Sequence, residues 1–247
     1  MSLLEVSHVT KRYGGITALD NCSLTITEGS ITGLIGPNGS GKTTLLNVIT
    51  GYARPEAGIV RFAGKHITGL SPGRIFDAGL VRTFQSNRIF ARLTVRQNVR
   101  VPWRNRTVGS ALRHWSARSQ NVRVDELLAS MNLAQLGDRL VGELSYGQRK
   151  LVELACILES EPRIVLLDEP ASGINPSQLL ELQTRIRLLN QRGLTVLIVE
   201  HDMEFVMSLC DTVFVMHQGR VMAGGTPEEV VDDEAVLEAY LGASIEL

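Results

Sequence analysis

The sequence predicts an α/β fold: a mixed, mainly parallel sheet core that carries an antiparallel β subdomain and an inserted helical subdomain. Three observations carry that expectation. Apolar runs of strand length recur along the chain, several of them apolar throughout, as strands covered on both faces are. The later runs alternate with helical stretches, such as 178–192 between Ile164–Asp168 and Thr195–Val199, which is the order of a parallel sheet. Between them, from about 94 to 161, lies helical periodicity with no strand-like run.

Taken in order, runs at 3–9, 30–35 and 59–62 are joined by short turns, which predicts antiparallel pairing up to Phe62. A run at 80–83 follows. Thr94-x-x-Gln97 reads as a capping box opening a helix that Pro102 ends. Stretches 124–131 and 147–158 read as two further helices, and Ile164–Asp168, Thr195–Val199 and 212–216 as core strands. Thr226-Pro227-Glu228-Glu229 supplies a cap, a proline at the first helical position and first-turn acids, predicting a terminal helix of about three turns. The expected organisation is one domain over 1–247. Its core comprises 1–88 and 162–247, including the antiparallel subdomain, and its helical subdomain comprises 89–161.

Composition narrows the function classes. The 247 residues are 44% hydrophobic and 21% charged, ordinary globular usage that excludes disordered and collagen-like chains. Twenty-five Lys+Arg against 26 Asp+Glu leave a net charge of -1, so no global excess draws nucleic acid or anionic lipid. Cys22, Cys156 and Cys210 are odd in number and far apart, the usage of a reducing compartment, and read as small core residues. Glu5 and His8 interrupt any signal-peptide core, and no stretch reaches the ~18 apolar residues of a membrane span, so a cytosolic location is expected. The charge is unevenly spread: 74–123 holds eleven arginines and one acid, and 221–247 holds seven acids and no Lys or Arg. These are either solvated, partly paired faces or a basic docking surface for a protein or membrane edge.

The sharpest motif is Gly36-Pro37-Asn38-Gly39-Ser40-Gly41-Lys42-Thr43, followed by Thr44. It fits G-x-x-x-x-G-K-[ST] between an apolar strand and a helical run at 43–49, the phosphate loop of a P-loop NTPase core. The glycines let the chain wrap with N–H groups inward, and the helix start adds positive dipole. Residues 36–44 are therefore candidate ATP-binding residues, with Lys42 reaching the β- and γ-phosphates and Thr43 giving its hydroxyl to Mg²⁺. Ile164–Asp168 then ends in Asp168-Glu169-Pro170. Carboxylates at the C-terminal edge of a parallel sheet lie where such folds bind ligands, with Asp168 suited to Mg²⁺ and Glu169 to a general base. Alone, Asp-Glu-Pro reads equally as a strand-end turn; beside a phosphate loop it reads as catalytic. Leu144-Ser145-Tyr146-Gly147-Gln148 opens a helix, with Ser145 as N-cap and the exposed N–H groups, Ser145 and Gly147 forming an anion site. Alone it is an ordinary capped start.

Together these motifs make the chain resemble the ATP-binding subunits of ABC transporters over nearly its whole length, with Tyr13, 36–43, Gln85, 144–148, Asp168-Glu169 and His201 in the family's order. The resemblance implies two ATPase subunits head to tail, each ATP lying between one phosphate loop and the partner's signature. It implies that Tyr13 stacks on adenine, that Gln85 senses Mg²⁺ and water, that His201 binds the γ-phosphate, and that Ser145, Gly147 and Gln148 act in trans. Glu169, His201, Gln85 and Lys42 would then be catalytic, and Thr43, Gln85 and Asp168 would hold the metal.

Two departures stand out: Tyr146 where the family signature commonly has Gly, and Asn175 where the loop after Asp168-Glu169 commonly ends in Asp. Both, with Arg82-Thr83-Phe84-Gln85 and the ending 236–242, resemble the ATPases of bacterial branched-chain amino-acid importers. Urea or amide importers and a lipopolysaccharide exporter are the near alternatives. The implied partners are transmembrane permease subunits, a second ATPase subunit and, indirectly, a periplasmic or lipid-anchored solute-binding protein. The implied location is the cytoplasmic face of the inner membrane. A nucleic-acid partner is not expected, because Leu144 follows Gln85 by only 59 positions and leaves no room for a long coiled coil.

Overall fold

The computed structural model describes residues 1–83, 89–101 and 117–243, with side chains left aside at 117–121 and 240–243. Gln85 and Pro102 lie outside the described residues. Contacts divide the chain into two units: Met1–Arg82, Arg163–Ala171 and Leu189–Leu247 in one, Thr83–Pro162 and Ser172–Leu188 in the other.

In the first unit, β1 (Ser2–Tyr13) and β2 (Ile16–Thr27) form a long antiparallel hairpin. The chain then leaves through β3 (Ile31–Ile35), all five residues of which are buried, and helix α1 (Lys42–Ile49). It returns to the first sheet as β4 (Ala57–Phe62) and β5 (Lys65–His66), giving the order β2-β1-β4-β5. The second sheet adds β6 (Leu80–Arg82), β7 (Ile164–Asp168), β8 (Thr195–Val199), β9 (Thr212–His217) and β10 (Arg220–Gly225). Its order is β10-β9-β3-β8-β7-β6, parallel except for the β9–β10 pair. Leu4, Val6, Ile26, Leu45, Leu46, Ile49, Phe62, Leu166 and Leu197 belong to one core, so the apolar face of α1 is enclosed between the two sheets. Burying a side chain of the Leu45 or Leu46 kind contributes about 1.5–3 kcal/mol, which anchors the helix and the loop before it.

Three expectations need correction. The run at 30–35 does not join the antiparallel sheet; it pairs in parallel with β8 and β9, where a strand without a polar face is covered on both sides. β2 and β10 are strands the pattern did not reveal: the pairing of each carries a register shift, and β10 has no fully buried residue to mark an apolar face. The terminal helix is two helices, Pro227–Val231 and Glu234–Ala243, because the Asp233 carboxylate accepts the Ala235 N–H and starts a new one.

The second unit contains helices Val95–Arg100 and Ala117–Ser130, two 3₁₀ turns, and α2 (Tyr146–Leu158). The capping box at Thr94 forms as expected. Buried Asn98 fixes the approach to that helix, its amide donating to the carbonyls of Phe90 and Thr94 at 3.0 Å each. Helix α3 (Pro176–Gln191) contributes its residues up to Leu188 to this unit.

Candidate active site

The phosphate-loop sequence is shaped by close approach as much as by φ. A Cβ on Gly36 (φ +147°) would stand 2.1 Å from the Met216 carbonyl oxygen, and one on Gly41 (φ +106°) 2.6 Å from that of Ala18. Only glycine fits at either point. Gly41 is the N-cap of α1 and brings no side chain to its first-turn amides, which have no intrahelical acceptors. That leaves a helix start able to receive an anion. Ser40 is buried; Pro37, Gly41, Lys42 and Thr44 are half-buried; Asn38, Gly39 and Thr43 are exposed. The Lys42 ammonium donates to the carbonyls of Gly36 (2.7 Å) and Pro37 (3.0 Å), so the loop satisfies its own cation. Burial lowers the Lys42 pKa from its ordinary 10.5, against the opposing pull of the Glu169 and Asp168 carboxylates.

Those carboxylates stand at the end of β7, which pairs with β8, itself paired with β3. The ends of three neighbouring parallel strands thus carry 36–44, Asp168-Glu169 and His201 in one unit. Asp168 faces the Arg82 guanidinium at 2.7 Å, both side chains 6% exposed, and Arg82 also donates to Asn47 Oδ1 at 2.7 Å. Glu169 has a left-handed backbone (φ +47°), and its N–H donates to the Val199 carbonyl at 2.9 Å. The His201 side chain is exposed; the backbone N–H of His201 donates to a carboxylate oxygen of the wholly buried Glu200. Tyr13 ends β1 at the hairpin tip, 49% exposed, with the Lys11 ammonium 5.0 Å from its ring centre.

In the other unit, Ser145 Oγ accepts the Gln148 N–H while the Gln148 carboxamide accepts the Ser145 N–H, a complete capping box at the start of α2. Gln178 donates to Ser145 Oγ at 2.8 Å and lies so close to Gly147 that a Cβ there would meet its Oε1 at 2.6 Å. Tyr146 lines Gly173, where a Cβ would stand 3.3 Å from the ring. Asn175 accepts the Gln178 N–H at 3.0 Å and so caps α3, a task for which an amide serves as well as a carboxylate.

The sequence pointed to neither Arg82 nor Glu200 as parts of this region, although Glu200, like Asp168, is an acid ending or following an all-buried strand. The arginine-rich stretch is also less free than its count implied. Arg82 is bound to Asp168, Arg96 to Asp125 and Asp138, and Arg123 to Glu161 and the Glu159 carbonyl.

A family profile described as "ABC transporter" matches residues 19–172, and one described as "Branched-chain amino acid ATP-binding cassette transporter" matches 220–246. The high-affinity branched-chain amino acid transport ATP-binding protein BraF of Pseudomonas aeruginosa is 39% identical, over 97% of this chain and 98% of that one. LivG of Salmonella typhimurium, of the same description, is 38% identical with the same coverage. A solved ATP-binding cassette of an ABC transporter in its ADP conformation superposes with a TM-score of 0.85 at 33% identity, covering 98% of this chain and 99% of the other.

Proposed function

The chain belongs to the ABC transporter family as an ATP-hydrolysing subunit, and on that premise we propose that it powers uptake of branched-chain or other hydrophobic amino acids through separate membrane-spanning permeases. The cargo reading is supported by relatives described as branched-chain amino acid transport proteins and by the C-terminal profile at 220–246. Among the described residues no helix is long and apolar enough to cross a membrane, so the spanning path would come from other subunits. The subunit would work at the cytoplasmic face of the inner membrane, supplied indirectly by a periplasmic or lipid-anchored solute-binding protein. Its two units serve as lobes of one ATPase domain.

The observation that carries the chemistry is the phosphate loop beside two strand-end acids, with Lys42 in the field of both Asp168 and Glu169. Phosphoryl transfer asks a protein mainly to position groups and to neutralise charge. The amides of 36–44 bind the phosphates, and Lys42 exchanges its loop carbonyls for β- and γ-phosphate oxygens. Thr43 and Asp168 offer oxygen donors that suit Mg²⁺, and the family resemblance would add Gln85, which lies outside the described residues. When bound, that ion would neutralise charge on the β- and γ-phosphates. Until then Arg82 neutralises Asp168. Glu169 accepts a proton from the attacking water, His201 donates to the γ-phosphate, and Tyr13 stacks on adenine. Ser145, Gly147 and Gln148 serve the nucleotide held by a second ATPase subunit.

Glu169→Gln tests the assignment. Turnover should fall about 10²–10⁴-fold, as for loss of a general base, while ATP stays bound and a stable dimer accumulates in gel filtration. Near-normal phosphate release would remove Glu169 from its role.

A further inference from the structure

Glu200, at the end of β8, is a buried acid for which the chemistry above has no use. Its residue is 0% exposed, and an ionised carboxylate there is costly unless donors surround it. Burial raises its pKa, and backbone N–H groups of Ala171, His201 and Asp202 draw it back. The two oxygens serve different segments. Oε1 accepts the Ala171 N–H at 2.7 Å. Oε2 accepts the His201 N–H at 3.1 Å and lies 3.6 Å from His201 Nδ1.

Ala171 is two residues past Glu169, and Pro170 between them has no N–H to give. Glu169 occupies a left-handed backbone, which is strained for a non-glycine residue and persists only where its surroundings over-determine it. The surroundings that do so are consecutive residues of one strand end. Val199 holds the Glu169 N–H through its carbonyl, and Glu200 holds the Ala171 N–H through its carboxylate.

We propose that Glu200 is a positioning residue for hydrolysis, clamping the segment after β7 to the end of β8 so that Glu169 keeps its place. This rests on the role given to Glu169 above. Glu200→Gln keeps the size of the side chain and one acceptor oxygen but turns an NH₂ toward one of the two N–H donors, so half the clamp is lost with the packing retained. Glu200→Ala removes the whole clamp.

The test measures ATPase activity, fluorescent-ATP binding and thermal unfolding of the full chain for both variants, for Glu169→Gln, and for Glu169→Gln combined with Glu200→Gln. A displacement of the base should lower kcat on the order of 10²-fold. ATP affinity should stay within about twofold, since ground-state binding does not depend on the base. In single-turnover reactions the double variant should be no slower than Glu169→Gln alone, because Glu200 acts through a group already gone. Unchanged kcat in both Glu200 variants overturns the proposal. So does a kcat loss matched by equal losses of ATP affinity and melting temperature, or a fully additive loss in the double variant. Undiminished turnover in Glu169→Gln instead strikes the reading of Glu169, and the clamp with it, whereas failure of the Glu200 variants alone leaves that reading intact.

Discussion

Lys42 is held between two demands. Its ammonium is part-buried among loop carbonyls, which lowers its pKa from 10.5, while two carboxylates favour the charged form. A triphosphate beside it favours that form further. The nucleotide-free protein therefore gives up the Lys42 proton at a lower pH than the ATP-bound protein does. ATP affinity should fall as the pH rises through the lowered value, and binding in that range should take up protons. Calorimetry in two alkaline buffers of different ionisation enthalpy reads the uptake directly. Lys42→Ala should bind ATP more weakly and show none of it, and equal uptake in that variant would assign the proton elsewhere. Lys42, Asp168 and Glu169 were legible in the sequence because short spacings and a strand end define them. Arg82 and Glu200 were not, since their partners lie 86 and 29 positions away along the chain, and nothing local distinguishes a buried Arg or Glu from a solvated one.

Elements closed by local hydrogen bonds were the easiest to foresee. The capping boxes at Thr94, Ser145 and Thr226 each join residues three apart, so the sequence holds both partners. Thr94→Ala should cost about 1 kcal/mol of unfolding free energy by removing one such box, seen as a lowered urea midpoint at constant slope; an unchanged midpoint would mean the box carries no net stability. β2 shows the opposite case. Its buried Leu19, Cys22, Leu24 and Ile26 would alternate cleanly but for an irregularity near Asn21, whose φ is +55°, and a bulge shifts the period that makes a strand recognisable. The placing of β3 between β8 and β9 depends on strands more than 160 residues later, which no window along the chain contains. Gly36→Ala tests the loop that β3 feeds: the added methyl has the Met216 carbonyl in its way, and ATP affinity should drop at least tenfold, about 1.4 kcal/mol, as the amides are displaced.

At the scale of the molecule, charge has to be read after pairing rather than before it. The sequence left the arginine-rich segment as either a solvated, partly paired face or a basic docking surface, and Arg82, Arg96 and Arg123 are each bound to acids of their own unit. A permease-docking surface, if built from this segment, must draw on other residues. The whole-molecule function follows from matches that span nearly the full chain, and the residues proposed for the ATP chemistry gather at the ends of three adjacent strands. The most direct measurement is uptake of radiolabelled leucine by cells of the parent organism lacking this chain, and by the same cells supplied with the native chain or with Glu169→Gln. Uptake lost with the chain, restored by the native form and not by the variant, is the result expected of a subunit that drives branched-chain amino-acid import. Leucine uptake that persists undiminished without the chain would contradict it.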